Sequence, residues 1–145
     1  MDKIDLALIA ELQRDARLPI SKLALRLNMA RTTVQARIDR LQSNGTITGY
    51  AVCLSDVATQ NQIRATVLLQ IDPRANAAVV SRLKTIPNVQ TATSASGRFD
   101  MVLNVSAQTP SALDEVLDEI GEIKGVQNSE SLIQLSTKID RAGKG

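Results

Sequence analysis

Two periodicities divide the chain. Up to about Gly45 the apolar positions recur at helical spacing; from about Ile63 stretches of alternation take turns with stretches of helical spacing. Ile4, Leu8 and Leu12 repeat every four residues after Asp2, an N-cap type, and predict a helix ending near Asp15. Arg17-Leu18-Pro19 breaks it. A second helix is predicted over 20–27, burying Leu23, Ala24 and Leu27, with Asn28-Met29-Ala30 as a short turn. A third runs from about Arg31 to Ser43, buries Val34, Ile38 and Leu41, and stops at Gly45, the usual post-helix residue. Residues 46–54, TITGYAVCL, alternate and read as an extended connector or strand, and 55–62, SDVATQNQ, read as a polar loop.

Beyond that point Ile63, Ala65, Val67, Leu69 and Ile71 alternate strictly, the mark of a half-buried strand. Asp72-Pro73 opens a helix that buries Val79, Leu83 and Ile86, and Pro87-Asn88 ends it. Val89–Thr93 is strand-like, Ser94-Ala95-Ser96-Gly97 a turn and Phe99–Val105 a strand. Thr109-Pro110 repeats the cap-and-proline signal before Leu113, Val116, Leu117 and Ile120. Gly125 closes the next loop, and Leu132–Ile139 reads as the last strand. The expected fold is therefore α+β: three helices with a tight turn between the last two, a helix-turn-helix, then a ferredoxin-like βαββαβ domain. The boundaries are 1–45 for the helical domain, 46–62 for the connector and 63–145 for the second domain. Met101, Leu103 and Val105 face one side of their strand and Val102 the other, so an open apolar sheet face is expected, and a second copy of the chain is the simplest partner for it.

The third helix carries the first chemistry. At about 100° per residue, Val34, Ile38 and Leu41 fall in one narrow sector, with Thr32, Gln35, Ala36 and Asp39 broadly opposite. Gln pairs with adenine, Arg with guanine, Thr with either, and Ala meets a thymine methyl, so this edge with Arg31 beside it suits a major groove. Lys22, Arg37 and Arg40 lie off the centre, where phosphates would be. The plain alternative is a small helical bundle with a soluble face.

Charge agrees with the first reading. Net charge is only +2, but residues 1–50 hold eight Lys/Arg against five Asp/Glu, while the remainder holds nine against ten. Such asymmetry suggests a polyanion partner for the first part alone. Histidine is absent, which removes the commonest general base and metal ligand. A catalytic ferredoxin-like domain would have only carboxylates, lysines or Tyr50 for proton transfer. Phe99 and Tyr50 are the only aromatic residues, so the cores must be aliphatic. The single Cys53 cannot form an internal disulfide and reads as a buried strand cysteine. Without a membrane-length apolar run or a leader-like start, a cytoplasmic location is the default expectation.

In this order the pieces resemble the Lrp/AsnC, or feast/famine, family of transcription regulators over nearly the whole length. The resemblance rests on Asp5 through Leu12, Lys22-Leu23-Ala24, Thr32-Thr33-Val34 with Arg37-Ile38 and Leu41, and the connector Gly45-Thr46-Ile47-Thr48-Gly49-Tyr50. Gly97 and Asp100 fall in the family's Gly-x-aromatic-Asp element, and Gly125-Val126 with Ser129 and Ser131 in its Gly-Val-x-x-Thr-x-Thr element. Three features depart from the pattern: Pro19 and Ala30 stand where capping serines are usual, and serines replace both threonines of the last element.

The resemblance implies a DNA-binding regulator with duplex DNA as partner and Lys22, Arg31, Thr32, Thr33, Gln35, Ala36, Arg37 and Arg40 at the interface. It implies a homodimer that assembles further, for instance to an octamer, and no cofactor beyond an amino-acid effector sensed at a contact between dimers. The effector residues carried over are Gly97, Arg98, Phe99, Asp100, Ser129 and Ser131, the two serines supplying hydrogen bonds from a neighbouring loop. Asp100 suits an ammonium and the Gly97 backbone a carboxylate; alternatively Asp100 ties the adjoining turn. A competing reading is an amino-acid-sensing subunit of a metabolic enzyme, with the N-terminal helices as a docking module.

Overall fold

The computed structural model describes residues 1–55, 57–59 and 61–141. Asp56 and Gln60 of the expected loop, and residues 142–145 of the expected second domain, lie outside the described residues. The chain divides into two compact units, one of residues 1–53 together with the described C-terminal residues from Ile139, the other of residues 54–138.

The first unit holds α1 (Lys3–Arg14), α2 (Ile20–Leu27) and α3 (Arg31–Ser43). Leu8, Leu12, Leu23, Ala24, Val34, Ile38 and Leu41 form its core, with Ile47 packed against it from beyond the last helix. Asn28 takes a left-handed conformation (φ 52°) between α2 and α3, and Gly45 (φ 78°) turns the chain after α3. One inward position differs from expectation. Ile4 is 39% exposed, and Asp5, at 1%, takes the place on the core-facing stripe beside Leu8 and Leu12. The spacing 5, 8, 12 follows the 3.6-residue turn more closely than 4, 8, 12. Helix α1 is capped by a reciprocal pair: Asp5 N–H donates to Asp2 Oδ1 at 2.8 Å, and Asp2 N–H to Asp5 Oδ2 at 3.3 Å. Helices α2 and α3 start at Pro19 and Ala30 with no side-chain cap, so neither Thr32 nor Thr33 substitutes for the missing serine.

The second unit contains β1 (Ile63–Ile71), a 3-10 turn (Pro73–Ala75), α4 (Asn76–Leu83), β2 (Val89–Ser94), β3 (Met101–Ala107), α5 (Pro110–Gly121) and β4 (Val126–Ile133). The sheet runs β2-β3-β1-β4, antiparallel throughout, which is the ferredoxin-like order. Alternate residues of the two central strands, Ala65 to Ile71 and Met101 to Ala107, point to one face and pack with Val79 and Leu83 of α4 and Leu113, Val116 and Ile120 of α5. Asp72 and Thr109 cap the two helical starts through their side chains, each followed by proline, as expected. Gly125 (φ 105°) lies so close to Ala75 that no Cβ fits between them.

Four expectations are corrected. The open face of the sheet is mostly polar, with Thr66, Gln70, Asn104 and Ser106 exposed or half-buried around half-buried Leu68 and Val102. The last strand is 126–133 rather than 132–139, because β1, the only neighbour on that side, begins at Ile63 and leaves later residues without a ladder. The third strand starts at Met101, not Phe99. Of the two readings of residues 46–54 the strand fails: they join no ladder among the described residues, although Ile47 N–H donates to Leu41 C=O at 2.8 Å, and Cys53 is exposed rather than buried.

The uncapped start of α3 gives a stability test. Ala30 already has extended backbone angles (φ −68°, ψ 146°), so Ala30→Ser should raise unfolding free energy by about 1 kcal/mol in urea titrations followed by circular dichroism.

Candidate nucleic-acid interface and ligand loop

The buried stripe Val34, Ile38 and Leu41 turns the opposite side of α3 to solvent. Arg31, Thr32, Thr33, Gln35, Ala36, Asp39 and Arg40 are all exposed there, and Lys22 is exposed on α2. Lys22 and Arg31 make no ion pair among the described residues. The expected base-reading edge is therefore open, and two cations beside it are uncommitted.

Arg37 and Arg40 are employed differently. Arg37 Nη1 lies 2.8 Å from Asp2 Oδ2 and 2.9 Å from Asp5 Oδ1, and Arg40 Nη2 lies 2.6 Å from Asp5 Oδ2. The acids that cap α1 thus also bracket α3. Arg37's side chain is 20% exposed and Arg40's 54%. The structure thereby removes Arg37 from the free cations and leaves Arg40 with solvent-facing nitrogens. The hydrogen bond from Arg37 holds Asp2 at about 2, well below its ordinary 3.8. Asp5 is lowered as well, first by Arg37, with burial opposing, and the two carboxylates raise Arg37 in turn. Periodicity could not show this bracket, since its partners stand more than thirty residues apart. A second link, Arg26 Nη1 to Glu11 Oε2 at 2.6 Å, ties α2 to α1. A further group on the outer face of α3, left out of the expected interface, is Asp39, which accepts a 2.8 Å hydrogen bond from Gln35 Nε2.

In the second unit the loop Gly97–Asp100 is pinned to the end of β1. Asp100 N–H donates to Leu69 C=O at 2.8 Å, Asp100 Oδ2 accepts from Ile71 N–H at 2.8 Å, and Gln70 Nε2 donates to Arg98 C=O at 2.8 Å. One carboxylate oxygen of Asp100 therefore ties the loop to β1 rather than to the adjoining turn. The Arg98 guanidinium lies over the Phe99 ring at 5.4 Å and reaches Glu130 Oε1 at 3.3 Å. Gly97 has φ 141°, open to glycine and little else.

The two serines are not in a loop. Ser129 and Ser131 lie in β4 opposite Leu69 and Val67, so they share the helix-covered side. Ser129 Oγ is 3.7 Å from where a Cβ on Gly121 of α5 would stand. Glu130, between them, leaves by the open side with Arg98. Within one chain the six expected effector residues therefore form two groups, Gly97–Asp100 in the loop before β3 and Ser129 and Ser131 on the helix-covered side of β4. A recess of about 420 Å³ lies at the other end of the sheet, lined by Arg64, Gln90, Asn104, Ser106 and Gln134. It contains none of the six residues.

Known proteins agree with this arrangement. The AsnC-type helix-turn-helix model matches residues 1–42, and the Lrp/AsnC ligand-binding domain model matches residues 64–143. The chain belongs to the Lrp/AsnC family. As an Lrp/AsnC protein it is a transcriptional regulator with a DNA-binding helix-turn-helix and a ligand-binding domain. It is 30% identical over 142 residues to the HTH-type transcriptional regulator LrpA of Mycobacterium tuberculosis, covering 97% of this chain and 95% of that one. The structure of the feast or famine regulatory protein Rv3291c from M. tuberculosis, complexed with L-methionine, superposes with a TM-score of 0.85 at 31% identity, covering 97% and 95% of the two chains. E. coli AsnC shares the fold at 22% identity and a TM-score of 0.86, covering 97% and 96%. No helix among the described residues of this Lrp/AsnC chain is long and apolar enough to cross a membrane.

The bracket makes a pH prediction. Asp2's carboxyl is depressed, so its contribution is complete above 3.8 and is withdrawn as pH falls toward about 2. Asp2→Asn keeps a capping side chain and loses the charge. Its stability should fall less steeply over that window than the parent's in denaturant titrations at stepped pH; equal slopes would remove the ion pair from the acid response.

Proposed function

We propose that the chain binds duplex DNA sequence-specifically through the outer edge of α3, and that a small molecule, an amino acid by class, modulates its DNA binding or assembly. The observation that carries the DNA reading is the exposed edge Thr32, Gln35 and Ala36, flanked by Arg31 and Lys22, neither of which is ion-paired among the described residues. In this reading Arg31, Thr32, Thr33, Gln35 and Ala36 meet base edges, while Lys22 and Arg40 meet phosphates. Arg37 acts from behind, holding α3 to α1.

The effector reading is supported by the pinned loop and by the relative that carries L-methionine. Asp100 spends one oxygen on Ile71 N–H, leaving the other for a ligand ammonium. Because Ser129 and Ser131 face the other side of the sheet, a pocket using all six residues needs more than one chain. Exposed apolar residues support association too: Val52 (85%), Leu54 (64%), Leu135 (95%) and Ile139 (73%) lie in extended segments without ladder partners among the described residues. A homodimer that assembles further, for instance to an octamer, would cover them and pair two recognition helices on a roughly palindromic operator. Binding would then fall steeply with salt.

Two experiments test these assignments. Gln35→Ala should lower discrimination between a selected and a scrambled duplex, whereas Arg40→Ala should weaken both alike and flatten the salt dependence; equal losses on both duplexes for Gln35→Ala count against its base-reading role. Thermal shift against the twenty amino acids should find a stabilising ligand for the parent chain. Asp100→Asn keeps an acceptor for Ile71 N–H but loses the charge, so it should retain the parent melting temperature and lose that ligand's shift. An unchanged shift would leave Asp100 as a turn residue alone.

A further inference from the structure

The geometry points to Asp39 as a specificity-determining residue that acts on DNA through Gln35, an inference that rests on the DNA reading above. Asp39 is the only acid in α3 and lies on its outward side with Thr32 and Ala36. A carboxylate there opposes phosphate contact, so a helix selected only for affinity has no use for it. Its partner is the Gln35 amide, whose Nε2 donates to Asp39 Oδ1 at 2.8 Å, one helical turn away.

That bond decides which way the amide faces. An ionised carboxylate only accepts, so the amide nitrogen must turn toward Asp39 and the oxygen away. One N–H is spent on Asp39. The second N–H and Oε1 remain, and they are the donor–acceptor pair that the N7 and N6 groups of adenine require. Without Asp39 the amide samples both orientations and must be ordered on binding, which reduces the gain from the correct base. The carboxylate also penalises registers in which the helix rests on phosphate instead of bases. Both effects raise the ratio of specific to non-specific binding, and neither requires Asp39 to contact a base.

The experiment begins by selecting duplexes from a randomised pool with the full chain. Dissociation constants are then measured for one selected duplex and its scrambled counterpart at a fixed salt concentration. Asp39→Ala should lower the ratio of the two constants by roughly five-fold or more, in part by tightening binding to the scrambled duplex, with no change in melting temperature. In a Gln35→Ala background the same substitution should lower the ratio by less, only as far as it tightens binding to the scrambled duplex, because its route to the base is gone. Asp39→Glu keeps an acceptor one turn from Gln35 and should retain most of the ratio. If Asp39→Ala leaves the ratio intact while Gln35→Ala lowers it, or if the two losses simply multiply, the positioning role is overturned and the DNA reading stands. Failure to enrich any duplex would overturn both.

Discussion

The rotation of α3 about its own axis is the constraint on which the DNA-facing half of the molecule depends. Val34, Ile38 and Leu41 are buried at 0%, 6% and 1% exposure, each burial contributing about 1.5–3 kcal/mol. A helix rotated by a third of a turn would lose much of this and expose the stripe. Burial therefore decides which edge meets solvent. The Asp2–Asp5–Arg37–Arg40 bracket then fixes what the arginines on the neighbouring flank can reach. Its partners come from the start of α1 and the middle of α3, so it links the two helices directly. Electrostatic contacts that would otherwise add to a general polyanion surface are turned inward to hold the reading edge in place.

This division of labour changes how the basic residues are counted. Arg14 and Arg26 converge on Glu11, and Arg37 on Asp2 and Asp5. Four cations of residues 1–50, Lys3, Arg17, Lys22 and Arg31, make no ion pair among the described residues, and of these Lys22 and Arg31 flank the exposed edge of α3. In the proposed reading Lys22 and Arg40 meet the DNA backbone while Arg37 is committed to holding α3 to α1. Asp39 adds a negative charge in the middle of that surface, a disposition that favours discrimination over tightness.

The second unit follows a different rule. One face of its sheet is closed by α4 and α5, and the ligand loop hangs from the end of β1 by three hydrogen bonds. The bond from Ile71 N–H uses one oxygen of Asp100, so holding the loop does not conflict with the ligand role proposed for the other. The open face of the sheet is mostly polar, so the association proposed above draws on the exposed apolar residues of the connector and tail more than on the sheet surface.

Much of this was legible along the chain. Helix limits, both proline-opened helices, the strand alternation in Ile63–Ile71 and the outward edge of α3 follow from local rules: a 3.6-residue or two-residue period, a cap, a turn residue. Those rules act within a few residues, so a single sequence displays them. The misplaced last strand, the unpaired 46–54 segment and exposed Cys53 failed for one reason. Alternation gives a segment the capacity to be a strand, but only a neighbouring edge supplies its hydrogen bonds. The inward Asp5, the capture of Arg37 and the split of Ser129 and Ser131 from Asp100 were likewise decided in three dimensions. Each depends on which residues the fold brings together across thirty or more positions, and on which face of a strand the register assigns to a side chain.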